Sequence, residues 1–226
     1  MKNIIVTGTS RGIGLEIALQ FAKAGNRVLA VSRNSAKELE VNKNIVCLQA
    51  DITKEEDLKK VGQYIQHNWE GRIDVLVNNA GAIVNKPFEE ITTAEFEYVY
   101  RVNVFAVAAL TRICIPFMST GSHVVTVSSM GGIQGSVKFP GLAAYSSSKG
   151  AVIILTELLA EEFKERGISF NAVALGAVQT EMLEEAFPGY KEPLAPAEMA
   201  NFLVDFALNG QRYFNGKTLE ASSTTP

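Results

Sequence analysis

Hydrophobic and polar positions along the chain form short β-branched runs that alternate with longer segments of helical periodicity. The first run, residues 3–7, leads into a glycine-rich loop and then into a helical segment that ends at Gly25. Further runs that predict buried strands lie at 27–32, 45–50, 73–77, 123–128 and 168–175. This alternation predicts a single doubly wound α/β domain of the Rossmann type over residues 1–226, with a mainly parallel central sheet and helices on both faces.

Two long helical segments are predicted over residues 93–118 and 142–166. Asn103 interrupts the first of them among apolar neighbours. An amide is costly to bury without partners, so Asn103 should be hydrogen-bonded or mark a kink. Glycines and prolines make residues 130–143 a predicted loop and residues 176–195 a predicted irregular segment.

Composition and charge narrow the classes of partner. The chain has 226 residues, of which 47% are hydrophobic and 20% charged, as expected of one large soluble α/β domain. Its net charge is −3 and no basic block stands out, so neither nucleic acid nor a membrane surface is an expected partner. No apolar run reaches the roughly 18 residues of a membrane span, and the first run is too short for a signal peptide.

Cysteine and histidine residues are few and isolated. Cys47 and Cys114 each lie in an apolar run, so we expect buried free thiols in a reducing compartment. His67 and His123 are too isolated to suggest a metal site, and no cluster of metal-ligating residues is expected. The expected location is cytoplasmic.

A glycine loop follows the first predicted strand, with Gly8, Gly12 and Gly14 at Gly-x-x-x-Gly-x-Gly spacing. Glycines let the backbone approach an anion closely, and a helix start offers free N–H groups and the positive end of the helix dipole. This loop therefore predicts a phosphate-binding site. The alternative interpretation is a purely structural turn.

Tyr145 and Lys149 are one helical turn apart if the helix already includes Tyr145. An ammonium beside a phenol favours the phenolate and so lowers a pKa that is about 10 when unperturbed. Such a phenol can exchange a proton with a substrate hydroxyl or carbonyl near neutral pH. The alternative is that Tyr145 is a helix-start aromatic and Lys149 a solvated charge.

Several motifs in this order resemble the short-chain dehydrogenase/reductase family, over residues 3 to about 220. The motifs that carry the resemblance are Thr7-Gly8-x-x-x-Gly12-Ile13-Gly14, Asp51, Asn78-Asn79-Ala80-Gly81, Asn103, Ser128-Ser129 and Tyr145-x-x-x-Lys149.

The resemblance implies a catalytic set of Asn103, Ser129, Tyr145 and Lys149. Tyr145 would be the general acid for carbonyl reduction or the base for alcohol oxidation, and Lys149 would lower its pKa and bind the nicotinamide ribose. Ser129 would hold the substrate oxygen, and Asn103 would bind a water that links Lys149 to bulk solvent. Ser128 is the alternative to Ser129; the strand-end position favours Ser129, and extra loop residues would explain its longer separation from Tyr145.

The resemblance also implies a cofactor site. Gly8, Gly12 and Gly14 would wrap the pyrophosphate, Asp51 and Ile52 would flank the adenine, and Asn78 would border the cofactor while tying strands together. Thr180 would contact the nicotinamide carboxamide. The other expected cofactor-binding residues are Ser10, Arg11, Ile13, Ser32, Arg33, Asn79, Ala80, Gly81, Tyr145, Lys149 and Val178.

Cofactor choice depends on the end of the second strand, where NAD-preferring proteins place an acid. Here Ser32 holds that position, Arg33 follows, and Arg11 stands in the glycine loop. Two guanidiniums without a carboxylate suit a 2′-phosphate, so NADP(H) is favoured over NAD(H). The alternative is that both arginines are solvated surface charges.

Two features depart from the family pattern. Leu175-Gly176 replaces the usual Pro-Gly, which should free that turn, and the expected substrate lid at 176–195 is short. A short lid favours a small or open substrate site. Apolar residues that are expected either to line it or to serve in packing are Phe139, Met182, Leu183 and Phe187.

The resulting functional hypothesis is an NADP(H)-dependent oxidoreductase that acts on a small carbonyl or alcohol. Its alternatives are a catalytically silent NADP-binding regulator or sensor, and an isomerase or dehydratase that uses the cofactor transiently. The family implies a homodimer or homotetramer, built in part by the helices around 93–118 and 142–166.

Overall fold

A seven-stranded parallel sheet runs through the centre of the protein in the order β3-β2-β1-β4-β5-β6-β7. The structure is a computed structural model and describes residues 1–191 and 194–222. The strands are β1 Asn3–Thr7, β2 Arg27–Ser32, β3 Ile45–Gln49, β4 Val75–Asn78, β5 His123–Ser129, β6 Ser169–Leu175 and β7 Lys217–Ala221. The predicted fold class is therefore confirmed.

Helices cover both faces of this sheet, which explains why β1 and β4 are buried along their whole length. The helices are α1 Gly12–Lys23, α2 Lys37–Glu40, α3 Glu55–Asn68, α4 Thr93–Tyr100, α5 Ala106–Cys114, α6 Ala143–Glu162, α7 Glu181–Ala186 and α8 Pro196–Asn209. On one face, Phe21 of α1 and Leu203 of α8 belong to the core. On the other, Ile65 of α3 and Leu110 of α5 pack against the sheet.

Strand order reverses beside β1, whose neighbours are β2 on one side and β4 on the other. Chain connections leave in opposite directions at such a point, so a crevice opens at the carboxyl ends of the strands. The glycine loop follows β1, and Asn79 to Gly81 follow β4. The topology therefore brings these two segments to one edge of the sheet.

A π-helical turn, Arg101–Phe105, joins α4 to α5 and contains Asn103. Asn103 is buried and hydrogen-bonded. The structure thus meets the expectation that this asparagine has partners and marks a local irregularity. An inserted residue in the helix turns the Asn103 side chain toward the core without ending the helix.

The continuous helix Thr93–Phe117 is long and apolar enough, by length and composition, to cross a membrane. This finding corrects the expectation that no segment reaches span length. The helix also buries Val99, Leu110 and Cys114 in the protein. Core helices of globular proteins meet the same criterion when they bury one face, so the helix is weak support for a membrane association.

Two short helices were not predicted from the sequence, α2 and α7. The second lies inside the segment expected to be irregular and begins where the Thr180 hydroxyl accepts a hydrogen bond from the Leu183 amide. Residues 192–193 of the same predicted lid lie outside the described residues. β4 begins at Val75, later than expected, although Ile73 before it is fully buried.

Candidate active site

A cavity of about 470 Å³ opens at the carboxyl ends of the strands. This size is typical of small-molecule sites. Ser129, Tyr145, Lys149 and every residue expected to bind the cofactor line it, apart from Asn78. Asn103 lies behind the wall rather than in it.

The glycine loop has a backbone that requires glycine. Gly8 and Gly12 have φ angles of 73° and 60°, in the region that side chains disfavour. A Cβ on Gly14 would collide with the Gly8 carbonyl oxygen, so α1 can start this close to β1 only with glycine there. Within the part of the chain that the structure describes, no side chain caps α1 at Arg11, so its first N–H groups remain available to an anion. The loop fits a bound pyrophosphate.

Thr7 and Asn79 tie the glycine loop to the end of β4. The Thr7 hydroxyl accepts hydrogen bonds from the Asn79 and Ala80 amides, at 3.1 and 3.0 Å. Asn79 Nδ2 donates to the Thr7 carbonyl oxygen at 2.9 Å and approaches that of Gly8 at 3.3 Å. Asn78 was expected to border the cofactor, but its side chain is buried and donates to Thr111 Oγ1 at 3.2 Å on α5. Asn79, itself an expected cofactor-binding residue, lines the cavity and ties the end of β4 to the glycine loop.

Tyr145 lies in the first turn of α6, so Lys149 stands one turn further along the same helix. Lys149 Nζ lies 5.8 Å from the centre of the Tyr145 ring and donates a hydrogen bond of 2.8 Å to the Val127 carbonyl oxygen. The Ser129 hydroxyl, at the end of β5, hydrogen-bonds the Tyr145 phenol. The three predicted side chains therefore converge in one cavity.

The pKa directions at this site differ from the expectation for Tyr145. Burial raises the pKa of the Tyr145 phenol, and the Ser129 hydrogen bond only partly opposes that rise. Burial also lowers the pKa of Lys149 to about 8. In this structure Lys149 is thus not what sets the phenol pKa, because its ammonium is directed to the Val127 carbonyl.

The alternation of side chains along β5 gives the two candidate serines different environments. Ser128 is buried and its hydroxyl donates to the Lys149 carbonyl oxygen at 2.8 Å. Ser129 Oγ faces the cavity edge and accepts from the Gly131 amide at 3.2 Å. Ser128 therefore anchors α6 to the strand, while Ser129 is placed to meet a ligand.

Asn103 joins the end of β4 to α6. Its Oδ1 accepts from the Ala82 amide at 2.8 Å, and its Nδ2 donates to the Ala82 carbonyl and to Ser148 Oγ, both at 2.9 Å. A Cβ on Gly81 would lie 3.5 Å from Asn103 Oδ1 and 3.6 Å from Lys149 Nζ. Asn103 therefore fixes the backbone at Gly81 and Ala82, beside Lys149 Nζ.

Both arginines of the predicted phosphate site have acidic neighbours, contrary to the expectation of guanidiniums without a carboxylate. Arg11 forms a two-pronged ion pair with Glu185 of α7, at 2.7 and 3.3 Å. This pairing raises the pKa of Arg11 and lowers that of Glu185. Arg33 is exposed and lies near Asp51; burial works to raise the pKa of Asp51, but Thr53 hydrogen bonds and the Arg33 charge lower it overall.

The turn after β6 is more restrained than expected for a chain that has Leu175 in place of the family's usual proline. Leu175 is still part of β6, and the Gly176 amide donates to the Ala221 carbonyl oxygen at 3.0 Å. A Cβ on Gly176 would collide with the Ser222 side chain. The strand pair β6–β7 thus replaces the restraint that a proline would supply.

Four apolar side chains, from the loop over residues 130–143 and from the lid, line the cavity. Lining the substrate site was one of the two roles expected for them. They are Phe139, Met182, Leu183 and Phe187. The rings of Phe139 and Phe187 meet edge to face, with centroids 6.3 Å apart. Thr180, expected at the carboxamide, lies beside Gly12 and caps α7 with its hydroxyl.

No positioning role was predicted from the sequence for Thr7, Ser148 or Asn85. Thr7 has a weak local signal, since it ends β1 immediately before Gly8. Ser148 holds Asn103 and also donates to the Tyr145 carbonyl oxygen at 2.7 Å. Asn85 donates to the Ala186 carbonyl at 2.7 Å, a contact across 101 positions that no local pattern indicates.

In residues 1–191 and 194–222 there is no group of three or more His, Cys, Asp or Glu side chains placed to hold a metal ion. A crevice at the switch point, a glycine loop at a helix start and a tyrosine–lysine–serine cluster together define a dinucleotide-binding α/β oxidoreductase. The chain belongs to the short chain dehydrogenase family, whose family model matches residues 2–191. This fold binds a nicotinamide cofactor.

Curated relatives are oxidoreductases of the same family. The hydroxynaphthalene reductase of Aspergillus fumigatus is 32% identical over 192 residues, which cover 81% of this chain and 69% of that protein. The glucose 1-dehydrogenase of Gluconobacter oxydans is 32% identical over 240 residues, which cover 96% of this chain and 89% of that protein.

Solved structures extend the likeness to the whole fold. A short chain dehydrogenase from Burkholderia cenocepacia in complex with NADP has a TM-score of 0.88 at 25% identity, covering 99% of this chain and 97% of that one. The 3-ketoacyl-(acyl-carrier-protein) reductase from Brucella melitensis, complexed with NADH, has a TM-score of 0.86 at 27% identity, covering 99% and 98%.

Proposed function

We propose that this protein is an NADP(H)-dependent oxidoreductase that interconverts a small carbonyl compound and its alcohol. The observation that carries the proposal is the convergence of Ser129, Tyr145 and Lys149 in the cavity that also contains the glycine loop. When bound, a nicotinamide supplies or accepts the hydride.

The chain's own residues handle the substrate oxygen and its proton. Ser129 holds the oxygen by a hydrogen bond and stabilises the negative charge that develops on it. Tyr145 gives a proton to that oxygen during reduction or takes it during oxidation. Lys149, with a pKa of about 8, lies close enough to favour the phenolate once its ammonium turns from Val127 toward the phenol.

We further propose that Asn103 acts through its neighbours and through a water that links Lys149 to bulk solvent. Support comes from Asn103 Oδ1 and Lys149 Nζ, which lie 3.5 and 3.6 Å from the position that a Cβ on Gly81 would take. Its hydrogen bonds to Ala82 and Ser148 keep this arrangement fixed.

Replacing Tyr145 with phenylalanine tests the reaction. Because Tyr145→Phe removes only the phenolic oxygen, turnover with NADPH over a panel of ketones and aldehydes should fall by about 10²–10⁴-fold. NADPH binding should remain. Tyr213→Phe, on an exposed tyrosine outside the cavity, is the control.

Undiminished turnover in Tyr145→Phe would remove this residue from the mechanism. NADPH binding without turnover of any panel member by the unmodified protein would favour the alternative, a catalytically silent sensor.

The preference for NADP(H) rests on Ser32 at the end of β2 and on Arg33 and Arg11, which line the cavity near it. A 2′-phosphate would compete with Asp51 and Glu185 for these guanidiniums. Charge-assisted bidentate bonds favour the phosphate in this competition. Titration with NADPH and NADH should show tighter NADPH binding, and Arg33→Asp should reverse the order. Equal or tighter binding of NADH by the unmodified protein would overturn the preference.

We also propose a cytoplasmic homodimer or homotetramer. The apolar exposed face of α6 supports the assembly, since Ile154 and Leu158 on it are 65% and 61% exposed. These residues are four positions apart and so share one side of the helix.

A further inference from the structure

The cavity wall formed by the loop before α6 and by the lid is apolar. Its apolar side chains are those of Met130, Phe139, Leu142, Met182, Leu183 and Phe187, and Tyr190 of the lid also lines the cavity. Among the described residues that line the cavity, the charged ones are Arg11, Arg33, Asp51, Lys149 and Glu181. The Glu181 carboxylate is beside Gly12, at the glycine loop, so this acid belongs to the cofactor side.

The lysines on the neighbouring segments are directed elsewhere. Lys86 forms an ion pair with Glu95. Lys138, next to Phe139, donates to the Ile133 carbonyl and to Ser136 Oγ, at 2.5 and 2.6 Å. A substrate carboxylate or phosphate against the apolar wall would therefore lose its hydration without gaining a cationic partner, which is costly.

Two aromatic rings shape this wall. Phe139 comes from the loop and Phe187 from the end of the lid helix, and they meet edge to face at 6.3 Å. Edge-to-face geometry leaves ring faces and edges that another ring can pack against at similar distances.

Asn85 fixes the two segments that carry these rings. Its Nδ2 donates to the Ala186 carbonyl oxygen at 2.7 Å, next to Phe187. Its Oδ1 occupies the space that a Cβ on Gly141 would need, and the neighbouring Lys86 amide donates to the Gly141 carbonyl at 3.0 Å. Asn85 and Lys86 thus join the two segments that form the wall.

We propose that this wall selects an uncharged ketone, or its secondary alcohol, that bears an aromatic ring next to the carbonyl. The ring packs against Phe139 and Phe187, while the oxygen points to Ser129 and Tyr145. This inference rests on the proposed function for the direction of the oxygen, but the ring preference is a property of the wall itself.

Binding of three ketones tests the preference without turnover. The protein is saturated with NADP⁺, which cannot reduce a ketone, and titrated with acetophenone, 4-acetylbenzoate and 2-octanone. Acetophenone and 4-acetylbenzoate share the ring and differ by a carboxylate, so we expect acetophenone to bind at least about tenfold more tightly. 2-Octanone has the same number of carbons as acetophenone without the ring, and we expect it to bind about three- to tenfold more weakly.

Leucine variants assign the preference to the two rings. Phe139→Leu and Phe187→Leu keep apolar volume and remove the ring, so each should bring the affinities for acetophenone and 2-octanone together. Phe202→Leu is the matched control, because Phe202 is 41% exposed against 40% for Phe139 and lies on α8, outside the cavity. Unchanged circular dichroism shows that each variant is folded.

Comparable or tighter binding of 4-acetylbenzoate overturns the uncharged class, and comparable or tighter binding of 2-octanone overturns the ring. Undiminished ring preference in both leucine variants overturns the assignment to Phe139 and Phe187. Failure of the proposed function is a separate result, because it appears as absent NADPH oxidation with all three ketones. The same titrations without cofactor then still measure the selectivity of the wall.

Discussion

Ser128 and Ser129 have the same side chain and different environments. Both residues line the cavity, but Ser128 is buried and its hydroxyl donates to the Lys149 carbonyl, whereas Ser129 is less buried and its Oγ accepts from the Gly131 amide. Neighbouring residues in a strand point to opposite faces, so a shift of one position changes which hydroxyl meets a ligand. The chemistry of this site therefore depends on where β5 ends rather than on the residue type.

Lys149 shows how burial and function compete at one residue. Burial of the lysine favours the neutral amine and lowers its pKa to about 8, while the Val127 carbonyl offers its ammonium a hydrogen bond. A lysine in this state can carry or release charge near neutral pH, which suits a group that adjusts a neighbouring phenol.

His123 is a second buried titratable side chain, remote from the cavity. Its Nδ1 lies 3.1 Å from the Ala207 carbonyl oxygen and its Nε2 lies 2.9 Å from Asn171 Nδ2. A carbonyl oxygen can only accept, so Nδ1 carries the hydrogen and Nε2 accepts from the amide. Burial lowers the pKa of this imidazole to about 4.

We predict that His123 makes the fold acid-sensitive in a defined pH window. Its pKa is about 4 in the folded chain against 6.5 when unperturbed, so the unfolded chain binds more protons between these values. Folding stability should therefore fall as the pH falls from about 6.5 to about 4, by up to about 3 kcal/mol from this residue.

The measurement is a proton NMR titration of the histidine ring signals. The chain has two histidines, so His67→Gln leaves His123 as the single signal to follow. We expect that signal to stay unshifted down to about pH 5, since its pKa is about 4. A midpoint near 6.5 would contradict the prediction.

At the scale of elements, the lid helix α7 is short and depends on contacts with other segments. Thr180 caps its start, Asn85 binds the carbonyl of its last residue, and Arg11 of the glycine loop pairs with Glu185 on it. The Arg11 and Glu185 side chains are 50% and 59% exposed, and exposed pairs contribute only about 0–1 kcal/mol. The contact is thus weak enough for an incoming phosphate to replace it.

We predict that Glu185 weakens the binding of NADPH more than that of NADH, because its carboxylate competes for Arg11. Glu185→Gln keeps the size of the side chain and removes the charge. NADPH affinity should rise by up to about fivefold relative to NADH, the ratio that corresponds to a surface ion pair. Fluorescence titration with both cofactors measures the ratio.

Glu184→Gln is the matched control, since it removes the same charge one position earlier in α7, where Glu184 lies 3.9 Å from Lys191. An equal change in both cofactor affinities, or the same change in the control, would show that the Arg11–Glu185 pair does not affect cofactor choice.

At the scale of the whole molecule, the strand order gathers residues that are distant in sequence. Thr7 ends β1, Asn78 ends β4, Ser129 ends β5 and Leu175 ends β6, and all four strands run in one direction. Their carboxyl ends meet at one edge of the sheet, where the cavity lies. Packing of this single sheet therefore places the glycine loop and the proton-transfer side chains in the same cavity.

We predict that the exposed face of α6 is covered by a second copy of the chain. Ile154→Glu together with Leu158→Glu would place charges in that contact, so the assembly should dissociate toward the 24.5 kDa monomer in light scattering. Val41→Glu, at a residue 87% exposed on a different part of the surface, should leave the molar mass unchanged. A monomeric unmodified protein would contradict the prediction.

Much of the fold could be predicted from the sequence because its signals are local. β-branched runs, helical periodicity and glycine positions act over a few residues, and they predicted the strands closely. The same reasoning missed α7, whose contacts with Asn85 and Arg11 come from distant segments. It also expected Asn78 to border the cofactor, whereas packing buries that side chain against Thr111.

The sequence by itself determined the alternating α/β order, the glycine loop and the family, because each depends on residue types at fixed short spacing. Only the tertiary structure decided that burial raises the pKa of Tyr145, that Arg11 pairs with Glu185, and that two phenylalanines meet beside the cavity. These properties depend on burial and on contacts between segments distant in the chain. They do not exist until the sheet and its helices have packed.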